Sequence, residues 1–389
     1  MAAEKTIATF FQEEGRKKHQ FRPHKLFANT AWVQRFLNHE GQPPITLELD
    51  PTLACNDKCP FCVHGWALQG RELSISQIDG ILREAEDLGI PGLTITGGGD
   101  PLMHTRIFDV LDCIRGRKFE SGLYTNGGPL QRPGLAEAVV SAFTWIRVST
   151  DSGSEENFRI IRGHGGYQKR MQCLEKLAEA RRKTGSRAMI GASFLTSERV
   201  ANDIVQAAQD VKNAGLDYIQ FKPMIDWDLT AGHHRSPSMN QEGVFRAIHD
   251  ASQLASDAFR VIGSPAKYEA EALGESRVYT QYHAGWVVVA VAPNLRGEVA
   301  PTLYLECSVK YQERWAMGEF SSLSKILASR ERERMIRETS SDVYCVLPEK
   351  GATYSHMLDA VLRRHEQRPL STEEIGALAP EVVEHPFSL

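Results

Sequence analysis

No apolar stretch in the 389 residues approaches the length of a membrane span. The longest, AGWVVVAVA from Ala284 to Ala292, falls far short of the roughly 20 residues that cross a bilayer. The opening MAAEKTIATFFQEEGRKK has no apolar core followed by a small-residue cleavage site, so it does not read as a secretory signal. Excess charge of one sign is also missing: 45 Lys and Arg stand against 49 Asp and Glu, a net charge of −4. Phosphate-backbone binders ordinarily carry a basic surplus, so nucleic acid is not an expected partner, and neither is a membrane. Internal repeats and low-complexity tracts are absent as well. With 42% hydrophobic and 24% charged residues, a long disordered, collagen-like or mucin-like chain is excluded. At roughly 100–200 residues per domain, the length suits two or three domains, or one large barrel with additions.

The seven cysteines are an odd number, and three of them crowd into eight residues. A secreted disulfide scaffold would space them evenly and pair them. Crowding points instead to a reduced compartment and a metal site, so the chain reads as cytoplasmic. Cys113 and Cys173 sit in helical patterns beside apolar neighbours and read as core.

Residues 1–44 carry helical spacing (Phe10, Phe11; Phe27, Trp32, Phe36) and end in the breaker GQPP. From Ile45 the chain alternates β-type runs with amphipathic stretches. Six strands are predicted at 45–50, 93–96, 121–125, 145–150, 188–195 and 217–222. Helical patterns lie between them, such as Ile78, Ile81, Leu82, Ala85, Leu88, and Val200, Ile204, Ala207, Ala208, Val211. Helix stops are expected at Gly89 and Gly215. Six β/α repeats imply an α/β fold with a parallel sheet, curled by right-handed crossovers into a partial (β/α)6 TIM-like barrel over 45–260. Its chemistry is expected at the C-terminal ends of the strands. From 261 the pattern changes to a small α+β domain. Two strands at 285–292 and 298–305 are followed by one amphipathic helix (Leu323, Ile326, Leu327, Met335, Ile336), with a charged, loosely constrained tail after Arg363.

Just after the first strand comes Cys55-Asn-Asp-Lys-Cys59-Pro-Phe61-Cys62. Three thiolates in one loop can wrap one face of an iron–sulfur cluster. Three ligands leave one iron of a four-iron cluster open to a cofactor or substrate. The alternative is structural zinc, with His64 or a distant residue as fourth ligand; such sites usually draw their ligands as two separated pairs, and no second pair exists here. At the end of the second strand stands Thr96-Gly97-Gly98-Gly99-Asp100-Pro. Three glycines let a backbone turn approach a ligand closely, and an acid beside them can take an ammonium group. Alone this would be an ordinary βα turn; one β/α unit after the cysteine loop it carries more.

Together these motifs resemble those of radical S-adenosylmethionine (SAM) enzymes. The signature loop C-x3-C-x-aromatic-C is matched by Cys55, Cys59, Phe61 and Cys62, and the glycine motif by Gly97, Gly98, Gly99 and Asp100, with Asp where Glu is commoner. Further echoes are Tyr124-Thr-Asn126-Gly, Arg147-Val-Ser149-Thr-Asp151 and Ile161-Arg162-Gly163. The resemblance covers about 45–260. It implies a [4Fe–4S] cluster held by Cys55, Cys59 and Cys62, whose open iron chelates SAM. One-electron cleavage of SAM then yields a 5′-deoxyadenosyl radical that abstracts hydrogen from substrate. The resemblance implies further that Gly97–Gly99 and Asp100 hold the SAM amino group. Ser149, Asp151 and Ser193 would lie near the ribose, Arg162 would pair with the carboxylate, and Phe61 and Met224 would flank adenine. Alternatives stay open: Asp100 as a helix cap, Ser193 as a plain strand residue, Arg162 as a surface charge.

The C-terminal segment, with Asn294-x-x-Gly297-Glu-Val-Ala-Pro301-Thr302 and Gly318-Glu-Phe-Ser-Ser-Leu323, resembles the SPASM or twitch extension that holds an auxiliary cluster in many of these enzymes. The expected cysteine after the proline is Thr302, and only Cys307 and Cys345 stand in the region. Two cysteines are too few for a second cluster without unusual ligands, so the extension reads as degenerate. A redox-neutral outcome is then expected: epimerisation, elimination, rearrangement, decarboxylation or radical addition. Cys307 or Cys345 could donate a hydrogen atom to a product radical, or both could be buried packing residues.

After the sixth strand, Lys222 and the loop Met224-Ile-Asp226-Trp227-Asp228 offer a cation, two carboxylates and an indole, which could bind a polar molecule or form a polar connector. Peptide-modifying members of the family often carry an N-terminal winged helix, and 44 residues before the first strand are too few for one. The expected substrate is therefore a small polar molecule of the sugar, aminocyclitol or nucleoside type, from secondary metabolism. The electron donor would be external, a flavodoxin or ferredoxin. The alternatives are a maturase of a ribosomal peptide and, from another class, a zinc-binding interaction protein without catalysis.

Overall fold

The computed structural model describes residues 23–67, 70–224, 226–228, 233–235, 241–263, 268, 278–296, 300–319, 321–344, 350–380, 383, 385–387 and 389. All six strands expected in the repeat region form: β1 (Thr46–Leu49), β2 (Gly92–Ile95), β3 (Glu120–Thr125), β4 (Trp145–Ser149), β5 (Met189–Thr196) and β6 (Tyr218–Pro223). They pair in chain order, every pair parallel. A short hairpin of β7 (Asp226–Asp228) and β8 (His233–Arg235) stands apart from this sheet. Then β9 (Arg260–Ile262) adds in parallel to β6. The helix after β1, Ile75–Asp87, shows why the repeats form. Ser74 and Gln77 make a capping box at its start, Ile78, Ile81, Leu82 and Ala85 line its buried face, and Gly89 turns the chain out at φ 75°. Gly215 does the same after the helix Ile204–Asn213, at φ 82°.

From 261 the sequence pattern changes, but the sheet continues. β10 (Val288–Ala292) pairs in parallel with β1, and β11 (Thr302–Tyr304) and β12 (Ala316–Glu319) follow as antiparallel neighbours. The result is one ten-stranded sheet with β12 and β9 at its two edges, an open barrel. Three expectations are corrected here. The run 284–287 turns as a helix before β10 begins. The single amphipathic helix is two, Leu323–Leu327 and Arg330–Glu338, because Ser329 caps a fresh N-terminus by accepting from the Arg332 backbone N–H. The tail after Arg363 is not loose: it continues the helix Lys350–Gln367 and adds Thr372–Gly376. The helical spacing around Trp32 and Phe36 is confirmed by Thr30–Leu37; Phe10 and Phe11 lie outside the described residues.

The two faces of the sheet differ in chemistry. Leu47, Leu49, Leu93, Ile95, Leu123, Ile146, Val148, Ile190, Phe194, Ile219 and Phe221 are buried with the apolar faces of the surrounding helices in one core. The alternate positions turn inward: Glu48, Thr94, Tyr124, Arg147, Ser149, Ser193, Gln220 and Lys222. Filling of the interior is uneven. Trp145 lies over Gly122, where a β-carbon would come within 1.9 Å of its ring, and Tyr218 lies over Gly191 at 2.1 Å. Arg147 stacks on Tyr124, Trp145 and Tyr218. The chain end seals the opposite rim. Thr46 Oγ1 donates to the Phe387 carbonyl at 2.5 Å, Lys350 Nζ donates to the Leu389 carbonyl at 2.7 Å and to Glu48 at 3.2 Å, and Gly92 leaves room for the Phe387 carbonyl.

Candidate functional site

The residues singled out in the repeat region gather at the C-terminal ends of β1 to β6. The loop after β1 carries Cys55, Cys59 and Cys62 as half-buried free thiols, with none in a disulfide. The turn after β2 packs directly on that loop. The Asp100 N–H donates to the Ala54 carbonyl at 2.8 Å, and a β-carbon on Gly99 would lie 2.0 Å from the same oxygen. Gly97 would meet the Gly99 carbonyl at 2.6 Å. Gly98 is occupied differently: its N–H donates to the Tyr311 hydroxyl at 2.9 Å, and that hydroxyl donates to Asp50. The glycine run thus lets backbone meet backbone under the cysteines.

Asp100 is buried and accepts from Leu102 N–H at 2.9 Å, Thr125 Oγ1 at 2.8 Å and Asn126 N–H at 2.5 Å. It caps the 3-10 turn Pro101–Met103 and locks the end of β2 to the end of β3. Burial pushes its carboxyl above the usual range, against the pull of those donors. Asn126 passes the restraint on: its Nδ2 donates to Asn56 Oδ1 at 2.9 Å and approaches Cys55 Sγ at 3.8 Å.

A second set of charges closes the other side of the loop. Arg162 ends the helix Glu155–Arg162 and is 4% exposed. Its Nη2 donates to Asp151 Oδ2 at 2.5 Å and the Ser149 carbonyl at 2.8 Å. Its Nη1 reaches Cys59 Sγ at 3.5 Å and Asp57 Oδ2 at 3.4 Å. Asp151 takes the left-handed region at φ 53°, a conformation Asp tolerates better than most residues. Its other oxygen accepts from Leu195 N–H at 2.7 Å. Asp57, inside the cysteine loop, also meets Arg170 at 3.1 Å and His164 at 2.9 Å. Arg170 donates to the Asn126 carbonyl and lies over the Phe158 ring.

Burial is the main influence on all three thiols: it pushes Cys55 up to about 12 and raises Cys59 and Cys62, with Arg162 opposing the rise at Cys59. As thiols they stay neutral; binding to a metal is what would deprotonate them. Burial opposes the Arg162 charge, but Asp151, Cys59 and Asp57 outweigh it and hold the guanidinium protonated. The donor set fits an iron–sulfur cluster: three unpaired thiols on one loop, with N–H donors aimed at two of the sulfurs. Among the described residues no three His, Cys, Asp or Glu side chains stand close enough to share a single metal ion, which structural zinc requires.

The remaining candidates divide. Ser149 and Ser193 are register partners on the inner face, and the Ser193 carbonyl accepts from Thr150. Phe61 is half-buried against the main core, and Met224 is half-buried with its N–H on the Thr196 carbonyl. Lys222 is half-buried and its charge is felt by Asp151. Asp226, Trp227 and Asp228 form β7, whose side chains lie outside the described residues. Cys307 is packed with Leu53, Ala67, Tyr304 and Tyr311 and hydrogen-bonds to the inner-face Glu48; burial pushes its thiol far up. Cys345 lies outside the described residues.

The chain carries a radical SAM domain: residues 49–204 match the Radical SAM superfamily. Members of that superfamily are enzymes that use a [4Fe–4S] cluster and SAM. Among curated relatives, the mycofactocin maturase MftC of Mycolicibacterium smegmatis is 28% identical over 138 residues, 35% of this chain and 35% of that protein. A probable GTP 3′,8-cyclase of Archaeoglobus fulgidus is 31% identical over 140 residues, 36% of this chain and 46% of that one. The chain thus spans less than half the length of these relatives. Among solved structures, Streptococcus suis SuiB bound to SAM superposes with a TM-score of 0.55 at 12% identity, over 76% of this chain and 66% of SuiB. The structure of anSMEcpe with bound AdoMet gives 0.52 at 15% identity, over 76% and 83%. Both show the same fold. No described helix is long and apolar enough to cross a membrane.

Sequence reading missed Asp57, His164, Arg170 and Tyr311. Asp57 stood inside the cysteine motif, but any residue type can fill that position. Arg170 is one basic residue among several on the helix Tyr167–Thr184, and nothing in the local pattern marks it.

Proposed function

We propose that the chain is a radical SAM enzyme acting on a small polar substrate, with Cys55, Cys59 and Cys62 holding one [4Fe–4S] cluster. The observation that carries this reading is the polar inner face beneath the cysteine loop. A TIM-type interior is ordinarily packed with branched apolar side chains; here Glu48, Tyr124, Arg147, Ser149, Ser193, Gln220 and Lys222 line it. When bound, the cluster and SAM would supply the hydrogen-abstracting radical. The chain's own part is placement and the exclusion of water. In this reading Gly97–Gly99 let the backbone approach SAM, Ser149, Asp151 and Ser193 stand beside its ribose, and Phe61 and Met224 flank its adenine. Asp100 acts through the Asn126 it holds. Lys222 and the β7 segment Asp226–Asp228 would meet the substrate. Cys307, or Cys345, would return a hydrogen atom in a redox-neutral reaction, with a flavodoxin or ferredoxin in the cytoplasm as electron source.

A second reading, a maturase of a ribosomal peptide, draws support from the relatives. MftC is named a maturase, and SuiB and anSMEcpe have been solved with a precursor peptide and a Cp18Cys peptide, respectively. The test is anaerobic reconstitution followed by iron and sulfide counts and SAM cleavage under dithionite. About four irons per chain and 5′-deoxyadenosine that disappears in Cys59→Ala are expected. Tightly held zinc without iron would end the radical reading. Stimulation of SAM cleavage by short leader-like peptides, and not by sugars or nucleosides, would move the substrate to the second reading.

A further inference from the structure

Two acids and a sulfur already occupy the Arg162 guanidinium. Each of its two terminal nitrogens has two partners: Ser149 and Asp151 on Nη2, Cys59 and Asp57 on Nη1. Only Nε–H, itself buried, lacks a partner among the described residues. An arginine that grips a carboxylate does so with two parallel N–H groups along one edge, and each edge here includes a committed nitrogen. Freeing Nη2 would take from the buried Asp151 the ion-pair partner it has among the described residues, a strongly unfavourable change.

We infer that Arg162 is a positioning and charge-setting residue for the iron–sulfur cluster, acting through the Cys59 sulfur, and that it does not clamp the carboxylate of SAM. This rests on the reading of Cys55, Cys59 and Cys62 as cluster ligands. The backbone agrees with the side chain. The Lys58 N–H donates to the Arg162 carbonyl at 2.9 Å, and Gly163, at φ 75°, packs on the Lys58 carbonyl. Both ends of Arg162 therefore fasten the cysteine loop. Asp57 and Asp151 hold the guanidinium on either side, and Arg170 and His164 brace Asp57 in turn. A fixed cation and N–H donor beside one cluster sulfur favours the reduced, more negative cluster and so raises its potential.

The experiment uses the full chain, reconstituted with iron and sulfide, as wild type, Arg162→Gln and Arg162→Lys. It reads iron per chain, midpoint potential by EPR-monitored titration, and SAM affinity by equilibrium dialysis. Wild-type iron content is expected in Arg162→Gln, with a more negative potential and a SAM dissociation constant within about twofold of wild type; Arg162→Lys should fall between. An unchanged potential, or SAM binding weakened by about tenfold or more, would overturn the inference. If Arg162→Gln does not retain iron, the iron-free proteins decide. Alkylation of Cys59 by iodoacetamide relative to Cys55, read by mass spectrometry, should slow in the variant, and an equal ratio would overturn the inference. Absence of iron in the wild type would instead defeat the cluster reading itself.

Discussion

Gly99 leaves the cluster loop no room to drift. A methyl group at that position would lie 2.0 Å from the Ala54 carbonyl, and backbone cannot move aside as a side chain tip would. Gly99→Ala is therefore expected to push the turn after β2 away from the cysteines and to lower stability by about 1–3 kcal/mol. The checks are a chemical denaturation curve and the iron content after reconstitution, which should fall with it. Gly98 is constrained by a different neighbour, Tyr311, 213 residues further on. The motif was legible as glycines that permit close approach; which neighbour each one approaches was not, because a glycine carries no side chain to name its partner.

At the scale of elements, one acid ties the helix Lys350–Gln367 to the segment Thr280–His283 that leads into the helix 284–287. Asp359 accepts from Thr280 N–H at 3.1 Å and Thr280 Oγ1 at 2.8 Å, contacts His283 at 3.2 Å and pairs with Arg363 at 2.6 Å. Burial alone would raise its carboxyl; the bonds from His283 and Thr280 prevail and depress it to about 2. Because the folded value lies below the ordinary one of 3.8, the stabilisation is complete above that value. It fades as pH falls towards 2. Asp359→Asn should cost about 1–3 kcal/mol near neutral pH, and the gap in melting temperature from wild type should close between pH 4 and 2. A gap independent of pH would mean that shape, not charge, ties this helix. The charged run around 363–367 suggested a loose tail because it is polar throughout; it continues a helix whose earlier turns bury residues, Leu358 and Val361 among them, against partners far away in sequence.

For the whole molecule, the two ends of the barrel have opposite characters. The rim that carries the cysteines is polar and built from loops, while the far rim is sealed by Phe387 and Leu389 against β1 and β2. Removing residues 385–389 should uncover that rim and cost about 2–3 kcal/mol, the worth of one fully buried large apolar side chain, with a matching drop in melting temperature. A truncated protein that melts like wild type would show that the seal adds nothing to stability. The truncation leaves the cysteine loop intact, so iron content per folded chain should not change.

Sequence alone determined the six β/α units, the cysteine loop after the first strand and the glycine turn after the second. These are local matters: hydrophobic periodicity decides which face of an element is buried, and the loop and turn are contiguous runs whose chemistry travels with their letters. Tertiary structure alone decided what surrounds the sulfurs. Asp57 meets Arg170 across 113 residues and Tyr311 reaches Gly98 across 213. It also decided that β10, β11 and β12 extend the barrel sheet, because a strand's sequence shows its alternation but not its neighbour. Partners brought together by folding owe their distance to packing, and packing is a property of the assembled core that no single segment carries.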